Sequence, residues 1–179
     1  MSNPDFLCID EPSLGLQPSL RHEIFSTIKQ INGSWDARTL HQNYRAYRHM
    51  VLDCPPSLES HASMQALRAC DVALIPVLPS PVDLWASMNL PQEIAEARKV
   101  NQNINAFLVL NQLEPKSALS SAMRDALTEF GVPVLSAGIR RRAAYRNAAL
   151  EGLSVYQMGG HGAQAVEEME AIIEEVIGR

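Results

Sequence analysis

The run Met50-Val51-Leu52-Asp53-Cys54-Pro55-Pro56 ends an apolar stretch in one carboxylate and then halts it with two prolines. Apolar runs bounded by turn residues read as buried strands of a parallel sheet. An aspartate at the carboxyl end of such a strand stands where open α/β sheets bind ligands. Asp53 is therefore a candidate ligand-binding carboxylate, its other reading being a cap for the helix that follows. A second cluster is cationic: Arg140, Arg141, Arg142 and Arg146 form the most basic patch of a chain with net charge −5. Helical spacing over 140–151 puts Arg142 and Arg146 on one face. Arginine forks match phosphate oxygens, and each such contact releases counterions. The alternative is a solvated helix start paired with acidic residues of the same chain. The acidic balance argues against nucleic-acid binding by the whole surface and leaves a local patch open.

These residues need elements to position them. Apolar runs predict strands at Phe6–Ile9, Met50–Asp53, Val72–Val77, Ala106–Leu110 and Pro133–Ala137. Between them, helical spacing predicts helices at Ser19–Ile31, Ser34–His49, Leu58–Ala69 with Ser57 as N-cap, and Val82–Val100 with Pro91 as a kink or break. Further helices are expected at Ser117–Phe130, closed by Gly131, at Arg140–Glu151 and at Ala163–Ile177. The last should turn Val166, Met169, Ile173 and Val176 to the core and leave Glu167, Glu168, Glu170, Glu174 and Glu175 as a solvated face. Strands alternating with helices of this length mean an α/β fold, a parallel sheet covered by helices on both faces.

A chain of 179 residues with 46% hydrophobic content suits one globular domain. No apolar run is long enough for a membrane span, and no basic segment followed by an apolar core suggests a signal peptide. Cys8, Cys54 and Cys70 form no CxxC pair and no zinc spacing; Cys8 and Cys54 read as small core residues in a reduced cytoplasm. Composition breaks only near Gly33-Ser34.

Two resemblances sharpen this reading. Phe6-Leu7-Cys8-Ile9 followed by Asp10-Glu11-Pro12-Ser13-Leu14-Gly15-Leu16 resembles the Walker B and D-loop segment of ABC transporter ATPases. That likeness covers residues 1–33 as a strand–helix fragment and implies Mg²⁺ at Asp10 and a water polarised by Glu11. The competing reading takes 6–12 as a second strand of the family that follows.

From Ala37 onward the chain resembles the ParA/MinD family of deviant Walker ATPases, nearest the small plasmid-partition and carboxysome-positioning ParA proteins. Val51-Leu52-Asp53-Cys54-Pro55-Pro56, the segment 75–85, Leu108-Val109-Leu110-Asn111-Gln112, and 139–155 with Arg142, Tyr145, Gly152 and Ser154 carry the likeness. It implies an ATP-dependent dimer that binds DNA non-specifically, works with a partition partner protein and lies in the cytoplasm or on the nucleoid. Asp53 would be the Walker B aspartate serving Mg²⁺, and Pro55 and Pro56 the switch that senses the γ-phosphate. Asn111 would hydrogen-bond the adenine, since its amide offers both a donor and an acceptor; without the family it reads equally as a turn residue. Arg140, Arg141, Arg142 and Arg146 would meet DNA phosphates. Pro79-Ser80-Pro81 would form part of the dimer face with Trp85 packed beneath it, or as a core tryptophan.

One departure matters. The family opens with a Lys-Gly-Gly-x-Gly-Lys-Thr loop, but here none of the nine glycines precedes a lysine, and the only lysines are Lys29, Lys99 and Lys116. The resemblance therefore implies an N-terminally truncated P-loop NTPase-like sheet, impaired in ATP binding and hydrolysis. Residues 34–179 would be the ParA-like part of the same domain. The alternatives are a non-catalytic module that binds DNA or pairs with an intact paralogue, and an ABC-type ATPase fragment.

Overall fold

The computed structural model describes residues 6–9, 49–55, 61–114 and 117–177. The expected helix at 19–31, residues 34–48 of the expected helix 34–49, the N-cap Ser57, and Asp10, Glu11 and Pro56 lie outside them; His49 opens a strand instead of ending that helix. The chain divides into two compact units, Met1–Asp71 with Glu93–Ile104, and Val72–Gln92 with Asn105–Arg179.

In the first unit, β1 (Phe6–Ile9) pairs in parallel with β2 (His49–Leu52), in the register Phe6↔His49 to Ile9↔Leu52. This is the parallel pairing expected from the two apolar runs. The helix α1 (His61–Ala69) follows. Ser63 donates from Oγ to the Pro55 carbonyl at 3.3 Å, which ties the turn after β2 to the start of α1. At the other end, Asn101 Nδ2 donates to the carbonyls of Leu67 (3.2 Å) and Cys70 (2.7 Å). Those bonds satisfy acceptors that a helix C-terminus leaves without intrahelical donors.

The second unit is built on a parallel sheet in the order β3 (Val72–Val77), β4 (Asn105–Leu113), β5 (Val134–Arg140). After β3, Ser80 caps the short helix α2 (Pro81–Ala86): Asp83 N donates to Ser80 Oγ at 3.2 Å and Pro81 takes the first turn. The single long helix expected over 82–100 is instead two. The chain turns at Ser87–Asn89, and Pro91 sits in the first turn of α3 (Leu90–Arg98), where its missing N–H costs nothing. In α3, Leu90, Ile94 and Ala97 form a buried stripe.

Helices cover this sheet on both faces. Phe107 and Val109 of β4 and Leu135 of β5 pack with Ile172 of α6 (Ala163–Ile177). Alternation along β4 points Ala106, Leu108 and Leu110 the other way, and all three are buried. The helix α4 (Ala118–Thr128), capped by Ser117, also packs on β4 and β5, with Met123 and Leu127 buried. A third group joins α5 (Ala143–Glu151) to α6 through Ala148, Val155 and Ala165.

Both β4 and β5 run further than their apolar cores. Leu113 pairs with Arg140 across a register shift, and Arg141 N donates to Leu113 O at 3.0 Å. Gly138 permits that irregularity, because a Cβ there would fall 2.8 Å from Leu113 Cδ1 and 2.9 Å from Leu110 O. Arg140 thus ends a strand instead of starting a helix. On α6 the buried isoleucine is Ile172, while Ile173 is 40% exposed, which reverses the expected assignment.

The turn before α6 is equally tight. A Cβ on Gly162 would collide with the Val155 carbonyl oxygen, whereas one on Gly160 would meet nothing within 4 Å. Gly162→Ala should therefore lower stability by about 1–3 kcal/mol, the usual cost of overpacking, and Gly160→Ala should leave it nearly unchanged. Thermal melts of the two variants side by side check this.

Candidate functional site

Asp53 follows β2 in the first unit, exposed, on a turn whose Pro55 is held by Ser63. Cys54, beside it, is half-buried, with Sγ 3.9 Å from Leu52 O. In the second unit Asn111 lies inside β4 instead of ending it, and its Oδ1 accepts from Gln112 N at 2.8 Å. Gln112 takes a left-handed backbone, φ 55°, just beyond. The segment 79–81 enters α2, on which Val82 and Trp85 are exposed, Trp85 by 67%, as is Met88 in the turn that follows. Trp85 is thus not a core residue among the described residues.

At the carboxyl ends of β3 and β4 an open cavity of about 260 Å³ is bounded by Leu78, Pro79, Gln112, Glu114, Ser117, Leu119, Ser120 and Arg141. This is the sheet edge where α/β folds accept ligands. Arg141 reaches over it to Glu114, Nη1 to Oε1 3.4 Å, both side chains well exposed.

The arginine run is arranged differently from its helical expectation. Arg140 ends β5, Arg141 is in the connection, and Arg142 is the N-cap of α5 with an extended backbone (φ −111°, ψ 144°). Arg142 and Arg146 therefore do not share a helical face. Arg142 turns to α6, donating from Nε (2.8 Å) and Nη2 (2.5 Å) to Glu168 Oε1 and from Nη1 to Gln164 Oε1 (2.5 Å). The other oxygen of Glu168 accepts from Arg140 N (3.1 Å) and from the Tyr145 hydroxyl (3.5 Å). Glu175, two turns on, accepts from Ser136 N (3.0 Å), Ser136 Oγ (2.8 Å) and Ala137 N (3.0 Å). Glu168 and Glu175 are therefore not a solvated face. They grip the outer edge of β5.

Beside Arg142 a second open cavity, about 350 Å³, is lined by Arg141, Arg142, Ala143, Ala144, Gly160, His161 and Gln164. His161, Gln164 and Glu168 were missed as site residues. One signal was present for the last: Glu168 and Glu175 are seven apart and flank Ile172, which is the spacing of one helix face. Some of their partners, the backbone amides of Ser136, Ala137 and Arg140, leave no mark in the side-chain sequence.

Electrostatics follow the same contacts. The Glu168 hydrogen bond raises the Arg142 pKa above the ordinary arginine value. Burial, then the charge of Glu168 and its hydrogen bond, push Tyr145 up from 10.0 to about 12. Burial likewise pushes the Cys70 thiol up to about 11.

Among the described residues no lysine stands at a glycine-rich loop of the kind that holds a triphosphate. Within the 179 residues no glycine precedes a lysine, and the one described lysine, Lys99, pairs with Glu96 at the surface, 2.6 Å.

No family model matches the sequence. Over 128 residues, 72% of this chain, the sequence is 52% identical to "Maintenance of carboxysome distribution protein A" of Halothiobacillus neapolitanus, covering 59% of that protein. The protein of the same name from Gloeobacter kilaueensis is 32% identical over 123 residues, 68% of this chain and 55% of that one. The chain thus spans somewhat over half the length of the curated relatives it matches. Among solved structures, the cell division ATPase MinD of Pyrococcus furiosus superposes with TM-score 0.54 and 26% identity, over 78% of this chain and 59% of that chain. A ParA family ATPase from Chlorobium tepidum gives TM-score 0.56 and 17% identity, over 88% of this chain and 69% of that one.

The Tyr145 contacts have a titration signature. The native state holds the phenol proton more tightly than the unfolded chain, so this contribution to stability is full below pH 10.0 and is lost as pH rises to about 12. Ultraviolet titration of tyrosinate should show a late component, to which Tyr156 also contributes through its hydrogen bond to Glu170, and Tyr145→Phe should reduce it together with part of the stability loss in that window. Parallel strands, helical cover on both faces, and likeness in sequence and structure give this chain the fold of the MinD/ParA P-loop ATPases and sequence kinship to carboxysome distribution protein A.

Proposed function

We propose that this chain is a ParA-like positioning protein that engages DNA and cargo machinery through surfaces it retains, and does not turn over ATP by itself. The observation that carries the positioning reading is the 52% identity to a protein named for carboxysome distribution. Plasmid or chromosome partitioning is the related role that the same architecture supports.

The basic run supplies the DNA surface in this reading. Arg140 and Arg141 keep 57% and 60% of their side chains exposed, and Arg146 is exposed on α5. In an acidic chain such a cluster is a local site for phosphates. The exposed row Val82, Trp85 and Met88 beside 79–81 supports a pairing face for a second copy or an intact paralogue. A partition partner protein would complete the system in the cytoplasm, on the nucleoid when DNA is bound. Among the described residues no helix is long and apolar enough to cross a membrane.

The inactive reading rests on what phosphoryl transfer requires. Catalysis there is positioning and electrostatic stabilisation of the phosphates, and removal of one preorganised donor typically costs on the order of 10² to 10³ in rate. Asp53, with Asp10 as a weaker partner, would still suit Mg²⁺, Glu11 would suit a water, and Asn111 a purine. The amide cradle and its lysine are absent from these residues. That observation favours the second reading, a non-catalytic module acting on DNA or on an intact paralogue. The ABC-like reading of residues 1–33 has the parallel pairing of β1 with β2 behind it, which suits either family.

DNA binding is tested by fluorescence anisotropy on a short duplex across a salt series. Affinity should be independent of sequence and fall steeply with salt. Arg140→Gln and Arg141→Gln should each flatten the log–log slope by about 0.9, the value for one phosphate contact. Absence of binding at low salt, or slopes indifferent to both substitutions, removes the proposal.

A further inference from the structure

The four arginines of the basic run are not equivalent, and the difference lies in what α6 does to one of them. Arg142 places three of its guanidinium nitrogens on α6, two on Glu168 Oε1 and one on Gln164 Oε1. Its side chain is only 21% exposed and that of Glu168 12%. The remaining oxygen of Glu168 is occupied by Arg140 N and the Tyr145 hydroxyl, and Tyr145 is in turn anchored on Ala165 O at 3.2 Å. Glu168 is thus saturated by four donors from β5, α5 and the link between them.

A phosphate that sought Arg142 would have to displace this carboxylate. The exchange is unfavourable. A fork between two half-buried ions is charge-assisted and little screened, and breaking it would leave the largely buried Glu168 with only the looser pair to Arg140 Nε, 3.8 Å from Oε1. A nucleic-acid phosphate at the surface offers a screened contact in return.

We propose that Glu168 is an internal stand-in for phosphate that masks Arg142, so that the DNA-facing cations of this run are Arg140, Arg141 and Arg146 while Arg142 is held in reserve. The inference rests on the nucleic-acid reading of the run and adds to it how many contacts the run makes and what sets that number. Glu168 acts here as a positioning residue. It holds Arg140 through its backbone N–H and a long ion pair, Nε to Oε1 3.8 Å, that leaves 57% of the Arg140 side chain exposed, and it withholds Arg142. Any event that removes the Glu168 charge or draws α6 away would add one phosphate contact and tighten binding.

The test is the salt dependence of duplex binding by the full chain, with melting curves to verify folding. Arg142→Gln in the otherwise unchanged chain should leave the slope as it is, because that residue contributes no contact. Glu168→Gln keeps the shape and a neutral acceptor but removes the charge. It should raise affinity and steepen the slope by about 0.9, one further phosphate, and the double variant Arg142→Gln/Glu168→Gln should return to the original slope. A flatter slope in Arg142→Gln alone overturns the mask, as does a Glu168→Gln slope equal to the parent's. Binding by Glu168→Gln where the parent shows none would uphold the mask and correct the reading that the parent engages DNA. If neither binds, both readings fall.

Discussion

A sheet edge needs its backbone amides satisfied, and in the second unit that need is met by two carboxylates. β5 is the outer strand of β3–β4–β5, and an unpaired strand edge is a template for unwanted pairing. Glu175 takes the amides of Ser136 and Ala137, and Glu168 takes that of Arg140. Because both lie on α6, the helix is held in place along the whole length of β5 while Ile172 packs against Phe107, Val109 and Leu135. The strand is kept regular as far as Arg140, which decides where the arginine run begins. Glu168 then decides which of those arginines are available. Edge protection, helix docking and surface charge are one arrangement.

Much of this architecture was legible from pattern. Val72–Val77 is a strand with the bounds its apolar run gives, Ala163–Ile177 a helix with those of its spacing, and Phe6–Ile9 pairs in parallel with the run expected at Met50–Asp53, whose strand is His49–Leu52. The misses have physical causes. Hydrophobic spacing cannot choose between the adjacent Ile172 and Ile173, and α6 buries the first. Pro91 signals a break near its position but not on which side; the chain turns before it, at Ser87–Asn89. The strand β5 outruns its apolar core because its last residues are held by β4 and by carboxylates 28 to 39 positions away.

The candidate residues were chosen by type, which says nothing of their arrangement. Asp53 and the arginines were picked out by residue type, and the structure gives them distinct settings: Asp53 on an exposed turn, Arg141 paired with Glu114, Arg142 drawn to Glu168. Trp85 was expected beneath a surface and instead stands 67% exposed, which an amphipathic reading of so short a helix could not foresee. Glu168, as a member of an acidic helix, looked like solvent-facing charge. Only the tertiary fold shows it filled with donors.

In the proposed reading a ParA-like framework keeps its recognition surfaces and lacks, within these 179 residues, the lysine-bearing glycine loop that binds phosphate. That separation is tested most directly by calorimetric titration of the purified chain with Mg²⁺-ATP, alongside Asp53→Ala. The account predicts weak or undetectable heat, the same in both proteins. Saturable binding that disappears in Asp53→Ala would contradict it and show that these residues assemble a nucleotide site without the glycine-rich loop.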